Sequence, residues 1–217
     1  MKTVVGIFAH PDDEALGPSG TLATMAKENE VYLICVTSGE AAGRTPEEKL
    51  TIGEIRREEL KQSAKILGIK EVFFLGYEDG ELSNSKYHQL ALDIQKKIEE
   101  LRPETLLTFE TRGVSGHIDH ITVSLVTTFV FCHYSFIKKL MYYCISREKS
   151  DCMRDYFIYC PPGYTKDQVD EVIDVSSVWE TKVRAIKEHH SQKGDIKSFL
   201  KDSLHLPKEE YFMLLKK

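Results

Sequence analysis

The stretch Thr3-Val4-Val5-Gly6-Ile7-Phe8-Ala9-His10-Pro11-Asp12-Asp13-Glu14 passes from an apolar, β-branched run into an imidazole and three carboxylates within five positions. Its first half is too short and too rich in valine and isoleucine for a helix and predicts a buried parallel strand. The acidic turn then lies at a strand's C-terminal end, the edge where open α/β sheets bind ligands. Pro11 bars a regular helix across His10 and stiffens the turn. Adjacent carboxylates repel one another unless positive charge lies among them, so the cluster predicts a cation site. The competing reading makes Asp12 or Asp13 a helix cap and His10 an ordinary strand-end residue.

Working outward, residues 21–28 predict the first crossover helix and residues 31–36 a second buried strand followed by a polar loop over 37–53. Residues 54–67 predict an amphipathic helix closed by Gly68, with Arg56 and Glu59 as a surface ion pair at i, i+3. A third strand at 71–75 opens into the acidic turn Gly76-Tyr77-Glu78-Asp79-Gly80, and a helix over 86–101 stops at Pro103. A fourth strand at 105–109 ends in Gly116-His117-Ile118-Asp119-His120. A buried helix over 121–137 and a strand at 140–145 follow. Beyond these, the pattern predicts a strand at 156–159, a turn at Pro161-Pro162-Gly163, a strand at 172–175 and a helix over 177–190. Ser176 or Ser177 caps that helix and Gly194 breaks it. A short helix at 196–204 and an edge strand at 211–215 complete the chain. Alternating strands and helices predict one α/β domain over residues 1–217, with a mostly parallel, doubly wound sheet and right-handed crossovers. The ends of the first and fourth strands then share one edge.

Bulk properties narrow the function. The chain carries 34 acidic and 29 basic residues, net charge −5, so no basic footprint for nucleic acid is present. Five cysteines form no CxxC pair, and Cys35, Cys132 and Cys144 stand in apolar runs; they read as reduced, buried thiols of a cytoplasmic protein. The first apolar run is too short for a signal peptide. The long apolar zone 121–145 contains His133 and Lys138-Lys139 and predicts a buried helix and strand rather than a membrane anchor. An acidic turn instead of GxGxxG after the first strand argues against a dinucleotide.

The two clusters together carry the chemistry. His10 and Asp13 with His120 form a two-histidine, one-carboxylate set suited to zinc holding a water. Asp12 stands beside them to take that water's proton, His117 to donate to a developing oxyanion, and Asp119 to set the His117 tautomer. The same donor set suits Fe2+ oxygenases, which usually present it on all-β folds that this alternation opposes. A sugar-binding protein without turnover is the non-catalytic alternative.

Ala9-His10-Pro11-Asp12-Asp13-Glu14 resembles the AHPDDE signature of the LmbE/PIG-L-like zinc-dependent deacetylases of N-acetylglucosaminyl substrates, and Gly116-His117-Ile118-Asp119-His120 resembles their GHPDH element. Residues 37–40 are similar to the family's second-strand loop, residues 56–68 to its R-x-x-E…A-x-x-L-G helix, and Lys182…Ala185…His189-His190-Ser191-Gln192 to its K-x-x-A…H-x-S-Q helix. The resemblance implies a Rossmann-like three-layer fold. It implies His10, Asp13 and His120 as zinc ligands, Asp12 as general base, and His117 with Asp119 as the oxyanion pair. Arg56 and Asp79 fall in segments that approach the sugar, and Glu14 supports the site from behind. Its substrate is a small N-acetylated amino-sugar conjugate. Ile118 replaces the usual proline, Pro18 interrupts a glycine-rich helix start, and residues 147–165 match nothing in the pattern. The aromatic-rich region 142–164 is a candidate lid or homo-oligomer interface.

Overall fold

The computed structural model describes residues 1–152 and 158–217. Among them the chain forms β1 (Thr3–Phe8), α1 (Asp13–Leu16), α2 (Ser19–Met25), β2 (Glu30–Thr37), α3 (Pro46–Leu67), β3 (Glu71–Tyr77), α4 (Tyr87–Leu101) and β4 (Thr105–Phe109). There follow α5 (Gly113–Gly116), α6 (Ile118–His133), β5 (Lys139–Cys144), α7 (Arg147–Cys152), β6 (Glu171–Asp174), α8 (Trp179–Glu188), α9 (Lys193–Ser203) and β7 (Glu209–Lys216). The strands make one sheet in the order β3-β2-β1-β4-β5-β7-β6. From β3 to β5 every pairing is parallel; β7 runs antiparallel to both of its neighbours.

Alternation along β1 separates two cores. Val4 and Phe8 pack with Leu60, Ala185 and Phe212 on one face. Val5 and Ile7 pack with Leu90, Ile94, Val126 and Val130 on the other. Period-two burial of this kind sandwiches the sheet between helical layers. After β3 the chain returns to the opposite side of β1 to lay down β4. The winding direction therefore reverses between β1 and β4, where a crevice opens at the strands' C-terminal ends.

Several sequence-based expectations are corrected. The polar loop over 37–53 is in large part helix, because α3 begins at Pro46 with Thr45 Oγ1 accepting from the Glu48 N–H. Proline at the first helical position and threonine at the cap are favourable, but the first turns face solvent and carry no apolar period. Residues 211–215 belong not to an edge strand but to β7, inserted between β5 and β6. Neither Ser176 nor Ser177 caps α8 by its side chain; both lie in a 3₁₀ turn, and Val178 is the cap residue. Gly194 lies within α9. Cys132 is exposed, unlike Cys35 and Cys144. Arg56 and Glu59 are buried and do not pair with each other. The strand expected over 156–159 falls partly outside the described residues. Among the described residues no helix is long and apolar enough to cross a membrane.

A buried ion pair ties the outer strand to the edge of the crevice. The Lys182 ammonium, fully buried in α8, bonds Glu210 Oε1 at 2.6 Å and the Gly17 carbonyl at 2.5 Å. Glu210 also accepts from the Gly20 and Thr21 N–H groups at 2.9 and 2.8 Å. Burial alone would raise the Glu210 carboxyl, but Lys182 holds it below its usual range. Removing one partner of such a pair strands a buried charge. Lys182→Met is expected to lower stability by about 3–5 kcal/mol in urea unfolding; a loss under about 1 kcal/mol would show that solvent reaches Glu210.

Candidate metal centre

The crevice gathers side chains from the loops after β1, β3 and β4. Asp13 folds back so that its Oδ2 accepts from the Ala9 and His10 N–H groups at 3.1 and 2.9 Å. Its Oδ1 is left facing His120 Nε2 at 3.2 Å. His10 Nδ1 lies 3.0 Å from His120 Nε2 and 3.7 Å from Asp13 Oδ2.

The far nitrogens of both rings decide what these atoms can be. His120 Nδ1 lies 3.0 Å from the Gly113 carbonyl, which only accepts, so this nitrogen carries a proton and Nε2 presents its lone pair. His10 Nε2 faces Asp79 Oδ1 at 3.0 Å and Asp119 Oδ2 at 3.3 Å. It donates to them and leaves Nδ1 as the second lone pair. Two imidazole lone pairs and a carboxylate oxygen thus converge, an arrangement that repels itself unless a cation lies between. Burial alone would lower the His10 imidazole, but Asp119, Asp79 and Asp13 outweigh it and raise it to about 10. Without an ion, that positive charge is a second proton on Nδ1, facing the His120 lone pair; a bound cation would take its place and leave Nδ1 as a donor. Burial would likewise raise Asp13, yet His120 and His10 hold it well below the usual carboxylate range. The donor set fits a divalent, tetrahedral ion such as zinc with a position left open.

Two other combinations come close enough to hold an ion: His10 with His117 and His120, and His10 with Asp79 and Asp119. In the second, both Asp119 oxygens already accept backbone hydrogens, Oδ2 from Gly80 at 2.8 Å and Oδ1 from Leu82 at 3.2 Å. Those carboxylates therefore act as orienting partners of His10.

Asp12 stands at the N-cap position of α1, but its side chain makes no cap hydrogen bond. Its backbone stands at φ 132°, and its carboxylate accepts from Arg56 Nη2 at 3.0 Å. Arg56 also donates to the Gly39 and Pro11 carbonyls, both at 2.8 Å. Gly39, at φ 68°, has no room for a Cβ beside that guanidinium. Burial raises the Asp12 carboxyl to about 6, Arg56 opposing and Asp13 adding to the shift. Glu14 sits behind: it accepts from the Asp12 N–H at 3.2 Å, from Ser63 Oγ at 2.5 Å, and pairs with His189 Nε2 at 2.9 Å.

His117 caps α6 by accepting the Asp119 N–H on Nδ1 at 3.1 Å. Burial, with repulsion from His10 and His120, lowers its pKa; the neutral ring carries its proton on Nε2. The expected Asp119–His117 partnership is corrected in kind: the bond seen runs through the Asp119 backbone, while its carboxylate serves His10. Arg56 and Asp79, expected beside the sugar, border the cavity; the Arg56 Nη1 and Nη2 atoms and the Asp79 carboxylate are engaged by Asp12, His10 and backbone groups, while Arg56 Nε has no hydrogen-bond partner among the described residues. Sequence reasoning missed the supports in the last third of the chain. His189 holds Glu14, and the Ser191 N–H and hydroxyl both donate to Glu59 at 2.7 Å. Their only signal was membership in one motif-like helix end.

These groups open on a cavity of about 500 Å³ whose lining includes Asp12, His117, Phe109 and Tyr143 and, on the far wall, Lys149 and Phe199. Residues 5–131 match the family PIG-L, described as GlcNAc-PI de-N-acetylase. The chain belongs to the PIG-L family. A relative from Bacillus anthracis named probable N-acetyl-alpha-D-glucosaminyl L-malate deacetylase 2 is 36% identical over 124 residues, covering 55% of this chain and 54% of its own length. The chain thus spans about half the length of that curated relative. The fold matches the N,N'-diacetylchitobiose deacetylase of Pyrococcus horikoshii at TM-score 0.78 and 21% identity, covering 99% of this chain and 84% of that one. It also matches the 4-carboxy-2-hydroxymuconate hydratase of Pseudomonas putida at TM-score 0.77 and 17% identity, covering 100% and 97%. Ile118, where the family pattern has proline, is the first residue of α6 and exposed. Proline is favoured there but not required.

Zinc or cobalt titration tests the donor set. His10→Ala, Asp13→Ala and His120→Ala are expected to abolish tight binding, whereas Asp79→Asn and Asp119→Asn keep the donors and weaken affinity about 10–100-fold. Full affinity in the Asp13 variant would remove that carboxylate from the set.

Proposed function

We propose that the protein removes the N-acetyl group from an N-acetylglucosaminyl conjugate by zinc-assisted amide hydrolysis, giving acetate and a free amine. The observation that carries this reading is the pair of opposed imidazole lone pairs at 3.0 Å with Asp13 alongside, next to the buried Asp12 carboxylate with its raised pKa. Family membership and the activity for which the Bacillus anthracis relative is named support it. His10, Asp13 and His120 would hold the ion. Zinc at such a site supplies a Lewis acid for the acetyl carbonyl and makes water acidic near neutrality.

The chain's own groups then divide the work. Asp12, raised to about 6, is ionised at neutral pH yet more basic than an exposed aspartate, and takes the proton of the attacking water. The same proton passes to the departing nitrogen as the C–N bond breaks. The neutral His117 ring donates from Nε2 to the oxygen that becomes negative, a contribution of about 3 kcal/mol for one such donor. Asp79 and Asp119 orient His10, and Arg56 and Glu14 fix Asp12. On this reading the catalytic unit is one domain over residues 1–217, working on a small substrate in the cytoplasm, where its unpaired thiols stay reduced.

Asp12→Asn is expected to retain zinc and to lose roughly 10²–10⁴-fold in turnover, read as acetate release; loss of metal would assign Asp12 to the ion instead. The acid limb of the rate profile is expected at or below about 6, since the base works only when ionised and a bound cation favours that form. Arg56→Met removes a charge that favours the carboxylate, so this limb moves to higher pH. A limb that stays in place or moves down would detach Asp12 from the proton transfer. Parallel assays with zinc and Fe2+, together with oxygen consumption, separate hydrolysis from oxygenation.

A further inference from the structure

The cavity has a second polar end that the chemistry at His10 leaves unused. Tyr143 stands on β5, two strands from β1 and so about 10 Å across the sheet. The rings of His120, Phe109 and Tyr143 follow one another, with centroids 4.9 and 5.9 Å apart. Lys149 on α7 lines the same end, its ammonium 4.9 Å from the centroid of Phe199 on α9. Both Tyr143 and Lys149 also border a small adjoining recess.

Among the described residues neither group has a polar partner. Tyr143 is 3% exposed, and among the described residues its hydroxyl makes no hydrogen bond. Lys149 is half-buried, and among the described residues its ammonium makes no hydrogen bond or ion pair. Burial and the neighbouring Lys182 ammonium push Lys149 down to about 7. Lys182 itself is neutralised by Glu210. Asp195 and Asp202 line the α9 wall, and no ion pair joins either to Lys149. Asp202 disfavours an anion along α9 and so favours the β5 end. A cation partly out of water without a counter-charge is unfavourable, whereas an ammonium and a phenol O–H together suit a carboxylate or phosphate.

We propose that Lys149 and Tyr143 form an anion subsite that holds a carboxylate or phosphate on the aglycone side, so that the protein selects anionic over neutral N-acetylglucosaminyl conjugates. This rests on the deacetylase reading for its substrate class, though not for the anion contact itself. Phe199 holds the lysine stem and ammonium in place from α9.

The test compares acetate release from a GlcNAc-malate, from GlcNAc 1-phosphate and from neutral methyl N-acetylglucosaminide by the zinc-loaded protein, Lys149→Met and Tyr143→Phe. Calorimetric binding of the phosphate and methyl compounds is measured alongside. The anionic-to-neutral ratio of kcat/KM is expected to exceed ten and to fall roughly ten- to hundredfold in Lys149→Met, mainly through KM, and less in Tyr143→Phe. The malate and phosphate arms distinguish the two anion chemistries. A ratio near one, or one unchanged in Lys149→Met, overturns the subsite. If no conjugate releases acetate while GlcNAc 1-phosphate binds in a Lys149-dependent way, the deacetylase reading falls and the subsite stands. Equal phosphate binding by Lys149→Met, as an anion on the metal would give, removes the subsite.

Discussion

The opposition of His10 Nδ1 and His120 Nε2 at 3.0 Å is the constraint on which the rest of the site depends. Each ring is turned that way by an acceptor on its far side, the Gly113 carbonyl for His120 and the Asp79 and Asp119 carboxylates for His10. Those acceptors are in turn immobilised: Asp119 by the Gly80 and Leu82 N–H groups, Asp79 by the Ala41 N–H. Loops after four neighbouring strands thus fix two lone pairs. Buried carboxylates around the site are tolerated because each is hydrogen-bonded or paired, and the position between the two imidazoles and Asp13 is where a cation belongs.

Holding that geometry strains the backbone on both sides of it. Asp12 at φ 132° and Val114 at φ 63°, ψ −58° lie where residues with a Cβ seldom go. Each costs of order 1–3 kcal/mol and persists only where the surroundings over-determine it. For Asp12 the surroundings are visible: Glu14 accepts its N–H while Arg56 grips both its carboxylate and the preceding carbonyl. Glu14 is anchored by Ser63 and His189, from helices far along the chain. The buried helices on that face of the sheet therefore serve the turn as well as the core.

This division explains what the sequence could and could not disclose. The ends of β1 and β4 were legible because a strand period and a dense run of metal-binding side chains coincide locally, and βα alternation alone puts those ends side by side. The supports were not, since they join residues with no shared local period: Glu14 to His189, 175 positions apart, and Asp119 to His10, 109 apart. Asp119 was assigned to His117 by adjacency, but at the start of α6 the backbone N–H of one meets the ring of the other while the carboxylate points toward His10. Lys182 was legible only as part of a motif-like helix, with no partner in view; only the insertion of β7 beside β5 brings Glu210 into position for its charge. The start of α3 escaped notice because its first turns are held by a cap rather than by an apolar face.

The same fold carries a deacetylase in one structural neighbour and a hydratase in another, so the sheet and its switch point do not choose the reaction. In this chain the segment matching the family ends at residue 131 and contains all the groups around the two imidazoles except His189 and the helix that carries it. The wall facing them is built from Tyr143, Lys149 and α9, all outside that segment. On the proposed reading, chemistry and selectivity fall to different stretches of sequence. A change on α7 or α9 alters what the cavity admits without moving Asp12 or the donors, because the hydrogen bonds that fix those side chains come from residues 9–120 and from His189. α9 has no buried residue and so makes few demands on its own sequence, which leaves its cavity face free to vary with the conjugate while the strained turn at Asp12 cannot.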